Sequence, residues 1–187
     1  MSQDALHRGK TARRAAADPT DAVDAVDAVD AIVEQWHRER PDLDPSAKQI
    51  TGRIIRLSGI FQQAYAEGFA SLGINESDFG VLAPLRRAGA PFELTPTELA
   101  RHRMMTSGGM TAAIDRLERK GLVTRAPNPA DRRGSLVRLT EEGREIMDAA
   151  MARHADIEHE MVAGLSSKER DGLVPLLRAL LRSVDPG

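Results

Sequence analysis

The amino-acid sequence predicts a mainly α-helical protein with a small β-hairpin, arranged as a winged helix-turn-helix. Three observations predict it. Two short helical patterns, over about residues 95–102 and 107–120, stand close together, and the second ends at Gly121. Two short β-rich runs follow, residues 122–126 and 136–139, joined by a Pro- and Arg-rich tip over 127–135. Between Arg101 and Arg138, nine Lys and Arg stand against three acids, a net +6 in a chain whose formal charge is −2. A local basic stripe on a near-neutral body is the electrostatic footprint of a surface for a polyanion.

The elements follow in chain order. Residues 1–19 are polar, rich in Ala and Arg and without periodicity, so a disordered tail is expected. Three Asp-Ala-Val repeats begin at Asp21 and run into AIVEQW. A three-residue period drifts slowly around a helix, which lets Val23, Val26, Val29 and Val33 share one broad face. The spacing predicts a docked helix over residues 21–40, with Trp36 near its end. Pro41-Asp-Leu-Asp-Pro45 is a linker, so residues 20–44 form an extension. Asp44 and Pro45 fit the cap and first position of a long helix reaching about Leu72. Its apolar positions are Ile50, Ile54, Leu57, Phe61, Ala64 and Phe69.

Ser77 is expected to cap the next helix, from Asp78 to about Arg87, with Pro84 bending it. Thr95-Pro-Thr-Glu98 is a capping box with Pro at the first helical position. Gly121 fits the left-handed stop of the helix after it. Thr140 caps a helix to about Gly164, with Ile146, Ala150, Ile157 and Met161 on one stripe. Ser166-x-x-Glu169 opens a last, Leu-rich helix in which Pro175 should cause a kink or a shifted start. Residues 45–75 and 141–187 then make one region, and residues 76–140 the winged helix-turn-helix lobe.

Bulk composition narrows the function. The chain has 187 residues, of which 41% are hydrophobic but only 3% aromatic, enough for one aliphatic core. It has no Cys, which excludes disulfides, thiolate metal sites and cysteine nucleophiles. No apolar run approaches the roughly 18 residues needed to cross a bilayer. The N-terminus lacks the apolar stretch of a secretory signal. A cytoplasmic protein without membrane contact and without a cofactor is expected.

In a helix-turn-helix the second helix enters the major groove while the first braces it. Along residues 107–120, Met110, Ala113, Ile114 and Leu117 fall at core spacing. The opposite face offers Ser107, Gly108, Thr111, Ala112 and Arg116. Small side chains let such a helix sit deep, Ser and Thr hydrogen-bond bases or phosphates, and Ala contacts a thymine methyl. Arg116 is the long donor of this face. The hairpin tip carries Asp131, Arg132 and Arg133. An Arg at such a tip can enter the minor groove, and Asp131 is placed to orient Arg133.

Asp131-Arg132-Arg133, then five residues, then Leu139-Thr140 matches the pattern Asp-x-Arg…Leu-Thr. With ELARHRMMTSGGMTAAIDRLERKGLVTR before it and EEGREIM after it, the chain resembles the MarR family of bacterial transcriptional regulators over about residues 45–184. The resemblance implies an intertwined homodimer built by the long helix from Pro45 and the last two helices. It implies double-stranded DNA as partner, at pseudo-palindromic operators. It further implies release of DNA, in many members, by a small-molecule effector that is often anionic or phenolic. By position, Arg133 is the minor-groove Arg and Asp131 its partner. The extra N-terminal helix ending near Trp36 is similar to that of the urate-responsive branch. That branch's Asp and Arg positions fall here on Gly80 and Ala113, so no urate site is expected. Trp36 remains the candidate ligand contact.

Three alternatives stay open. A metal-responsive regulator would use His154, Glu158 and His159, although His154 and His159 point about 140° apart on one helix. An enzyme is disfavoured, because no phosphate-binding Gly loop, Gly-x-Ser-x-Gly or His-Glu-x-x-His occurs. A ligand-independent architectural or anti-silencing DNA-binding protein would share the same basic stripe.

Overall fold

In the computed structural model the described residues are 26–101, 107–129 and 131–185. The tail expected over residues 1–19 and the first Asp-Ala-Val repeats lie outside them. The chain divides into two compact units, Met1–Arg53 and Ile54–Gly187.

In the first unit, α1 spans Ala28–Glu39. Asp27 caps it, accepting from Val29 N at 2.7 Å, while Asp30 accepts from Asp27 N at 3.0 Å to close a capping box. The repeat therefore supplies both a helix start and its reciprocal acid. Val29 and Val33 are buried, whereas Val26 is 81% exposed and leaves the expected Val face; Val23 lies outside the described residues. Gly52, in α2 (Lys48–Ala70), explains the docking. A Cβ there would stand 3.0 Å from Val29 Cγ1, so the absence of a side chain lets α1 approach. Arg53 completes the contact, pairing with Asp27 at 3.0 Å and Asp30 at 2.8 Å. Asp44 accepts from Ser46 N at 2.9 Å in the turn that leads into α2.

In the second unit, α3 spans Glu76–Arg87 and α4 Pro96–Arg101, with the two-residue strand β1 (Glu93–Leu94) between them. α5 (Ser107–Arg119), β2 (Val123–Asn128), β3 (Asp131–Leu139), α6 (Glu141–Val162) and α7 (Ser167–Val184) follow. The sheet is antiparallel in the order β1-β3-β2, with Glu93 opposite Arg138 and Val123 opposite Leu139. Phe69, Val81, Leu82, Leu85, Leu99, Ile114, Leu117, Val137 and Met147 form one buried core. Each such side chain contributes about 1.5–3 kcal/mol on burial.

Several local expectations hold and others shift. Thr95 and Glu98 form the capping box, as do Ser166 and Glu169. Thr140 caps α6, accepting from Gly143 N at 2.9 Å. The cap of α3 is Asn75 instead of Ser77, because Asp78 three residues on returns the second hydrogen bond. Pro84 and Pro175 both lie inside their helices and end neither. The strands of the hairpin run further toward the tip than predicted. Pro127 is accommodated opposite Ser135, and a register shift follows between Pro127 and Asn128.

Candidate nucleic-acid interface

The inner face of α5 is apolar, as its spacing predicts. Met110, Ala113, Ile114 and Leu117 are at most 2% exposed. Thr111 and Ala112 face outward. Ser107 and Gly108 form the first turn of α5, but their side-chain surroundings lie outside the described residues, as does the turn 102–106. The helix ends in a Schellman arrangement: Gly121 takes φ 73°, its N–H donates to the Glu118 carbonyl, and Leu122 N–H reaches Leu117 O at 3.0 Å.

The wing is fixed to this helix by charge. Arg125 of β2 pairs with both Asp115 and Glu118 of α5. Arg138 of β3 donates to Glu93 of β1 at 2.8 Å. Asp131 begins β3 opposite Asn128, and its carboxylate folds over Gly134, where an added Cβ would lie 3.2 Å from Oδ2. The backbone of Arg132 and Arg133 belongs to β3, while their side chains lie outside the described residues.

Arg116 turns inward, to a residue that sequence reasoning passed over. Its Nε donates to Asp78 Oδ1 at 2.8 Å, and Lys120 Nζ donates to Asp78 Oδ2 at 2.8 Å. Asp78 is fully buried, the one buried charged side chain among the described residues. Burial pushes its carboxyl up, but the hydrogen bonds and charges of Arg116 and Lys120 outweigh this and hold it below the usual carboxylate range. The structure thus gives the long donor of the expected base-reading face a partner within the protein. The basic stripe shrinks accordingly. Arg116, Lys120, Arg125 and Arg138 all have carboxylate partners in the chain, whereas Arg101 and Arg119 are exposed without an ion-pair partner among the described residues.

Two further features stand apart. In the first unit, Trp36, Leu43, Asp44, Pro45 and Lys48 line an open cleft of about 340 Å³, with Trp36 46% exposed. In the second, the His154 ring lies between Tyr65 and Phe79, at centroid distances of 4.5 and 5.0 Å and nearly parallel to both. Glu158 approaches His154 Nδ1 at 3.3 Å. Burial and the nearby carboxylate of Glu158 push the Tyr65 phenol up. Among the described residues, no group of three or more His, Asp or Glu is placed to hold a metal ion. None of the helices described is long and apolar enough to cross a membrane.

Comparison with known proteins adds to this geometry. Residues 72–134 match the model of the MarR family. The chain is 33% identical to the HTH-type transcriptional regulator PecS of Dickeya dadantii, over 82% of this chain and 90% of that protein. It is 34% identical to the multiple antibiotic resistance protein MarR of Salmonella typhimurium, over 70% of this chain and 90% of that one. The fold is similar to that of a mutant Escherichia coli MarR complexed with operator DNA, with TM-score 0.63 and 30% identity over 78% of this chain and 97% of that one. It is also similar to Sco3205 of Streptomyces coelicolor in complex with DNA, with TM-score 0.66 and 25% identity over 76% and 90% of the two chains.

Proposed function

The chain belongs to the MarR family of winged-helix transcriptional regulators, and from that premise we propose that it is a homodimeric repressor of a pseudo-palindromic operator, released by a small-molecule effector. The observation that carries the reading is α5 itself. Its inner face is closed by core residues, its outer face shows Thr111 and Ala112, and a two-stranded wing is ion-paired to its flank. In the proposal, Ser107, Gly108, Thr111 and Ala112 meet the major groove, Arg133 with Arg132 enters the minor groove, and Asp131 orients the wing tip. Residues 76–140 are the DNA-binding lobe, and α2, α6 and α7 are the dimerisation region.

Exposed apolar surface supports the dimer. No described residue of α7 is buried, and its Leu173, Val174, Leu176, Leu177, Leu181 and Val184 are each at least 41% exposed. The helix α2 likewise presents Ile54, Ile55, Leu57 and Ile60. Contiguous apolar surface of this kind marks an association face. The cleft at Trp36 is the proposed effector site, with an aromatic wall and the Lys48 ammonium at its rim. Trp36 is the sole Trp of the chain, so its fluorescence reports directly on that cleft.

Selection of bound duplexes from a random pool tests the reading. A pseudo-palindrome with half-sites about one helical turn apart is expected. Recovery of unenriched or merely A·T-rich duplexes would overturn it in favour of an architectural role.

A further inference from the structure

The DNA-facing side of α5 is built of short side chains, so its readout depends on where the helix axis lies and how it is rotated. Apolar packing fixes depth well but is non-directional. Directional restraint comes from elsewhere. Arg116, in the last turn of α5, and Lys120, the residue just after its end, converge on a single carboxylate, Asp78, in the first turn of α3. Oδ1 receives Arg116 Nε at 2.8 Å, with Nη2 also 2.7 Å away. Oδ2 receives Lys120 Nζ at 2.8 Å and Asn75 N–H at 3.3 Å. Lys120 Nζ also donates to the Gly73 carbonyl at 2.7 Å, at the turn before α3. Three acceptors at the start of α3 thus triangulate the C-terminal half of α5. Charge-assisted hydrogen bonds to a buried carboxylate are short and direction-sensitive, which apolar contacts are not.

We propose that Asp78 is a positioning residue for operator recognition. It sets the rotation and axial position of α5 through Arg116 and Lys120, and Arg116 serves as its handle, not as a base reader. The inference rests on the DNA-binding reading and assigns a new residue to it. Non-specific DNA binding depends on phosphate neutralisation and tolerates a shifted helix, whereas base readout does not.

The test uses the full chain, with the operator defined by selection on the unaltered protein. Asp78→Asn, nearly isosteric, should lower operator affinity by about tenfold or more, with affinity for a random duplex unchanged or slightly higher. Arg116→Met should show the same defect without relaxed preference at any single base pair. The double variant should be no worse than either alone, because both break one device. Melting and size measurements without DNA establish that each variant is a folded dimer; if Asp78→Asn is not, Arg116→Met carries the comparison. Unchanged operator affinity in a folded variant overturns the proposal. So do equal losses on operator and random DNA, additive losses in the double variant, or relaxed preference at one base pair in Arg116→Met. Absence of any selected operator for the unaltered protein would instead refute the DNA-recognition reading itself.

Discussion

Gly143→Ala should be among the most damaging single-methyl changes in this chain. Gly143 is the third residue of α6, and a Cβ there would lie 1.9 Å from the Leu122 carbonyl oxygen and 2.8 Å from its carbon. Both atoms are backbone, so no rotamer relieves the clash, and the two segments must separate by about 1.5 Å to reach contact distance. What they hold together is the junction of α5, the wing and α6. Leu122 O accepts from Thr140 N at 3.1 Å, and Thr140 Oγ1 donates to Gly121 O at 2.7 Å while capping Gly143 N. Overpacking costs about 1–3 kcal/mol, and a weakened cap and hydrogen bond about 1 kcal/mol each. Better helix propensity returns at most about 1 kcal/mol. The net is about 3 kcal/mol, or a drop in melting temperature of about 10 °C for a chain of this size. Gly68→Ala is the control, because its Cβ would meet Ile157 Cδ1 at 2.5 Å and the Arg153 side chain, flexible ends that can turn away. Melts at one fixed protein concentration should separate the two variants clearly, since the stability of the proposed dimer depends on concentration. A Gly143→Ala protein that melts within about 2 °C of the parent would refute the close approach.

Other consequences are equally direct. Arg133→Ala should weaken binding to A·T-flanked operators by about 1–3 kcal/mol while leaving dimer size unchanged; an unaltered titration would remove the wing tip from the interface. Because the folded Asp78 carboxyl lies below its ordinary value near 3.9, its stabilisation is present above that pH and is lost as pH falls through the lower folded value. The acid limb of unfolding below about pH 4 should therefore flatten in Asp78→Asn, and an identical limb would contradict the assignment. Gly52→Leu should meet Val29 and Lys48 and raise hydrogen exchange across residues 28–39, with residues 76–139 unaffected. His154→Ala should lose about 1–3 kcal/mol by unstacking Tyr65 and Phe79, His154→Phe much less; equal losses in urea unfolding would argue against the stack.

Caps and stops were legible because their chemistry is complete within a few residues. Thr95-Pro-Thr-Glu98, Ser166-x-x-Glu169 and Gly121 carry both partners of each device in the local sequence. Ser77 misled for the same reason in reverse. Ser and Asn both cap well, and the choice belonged to the residue three positions on, which is Gly80 for Ser77 but the reciprocating Asp78 for Asn75. The strands were read short because proline is disfavoured in a ladder, yet Pro127 sits immediately before the register shift, where the ladder is already interrupted. The strand β1 has two residues and no period, so only its pairing with β3 defines it.

The elements that carry the candidate site were legible in the sequence, and the use of their charges was not. A count along the sequence treats every cation as available to a phosphate, but of the six in the basic segment whose side chains are described, four meet carboxylates of the chain itself. Arg116 illustrates why position alone does not decide. It lies about 60° from the core residue Ala113 on the helical wheel, at the edge of the buried face, where a long side chain can swing outward or inward. Asp78, 38 residues earlier, settles the direction. An unpaired buried carboxylate costs several kcal/mol, so the fold needs a cation at that point, and Arg116 and Lys120 are the two within reach. Once they are committed there, the phosphate-facing charge of the proposed complex falls to exposed cations such as Arg101 and Arg119 and to the wing tip. Specificity then rests on how accurately a helix of small side chains is held, which turns an interior carboxylate into a determinant of what the surface reads.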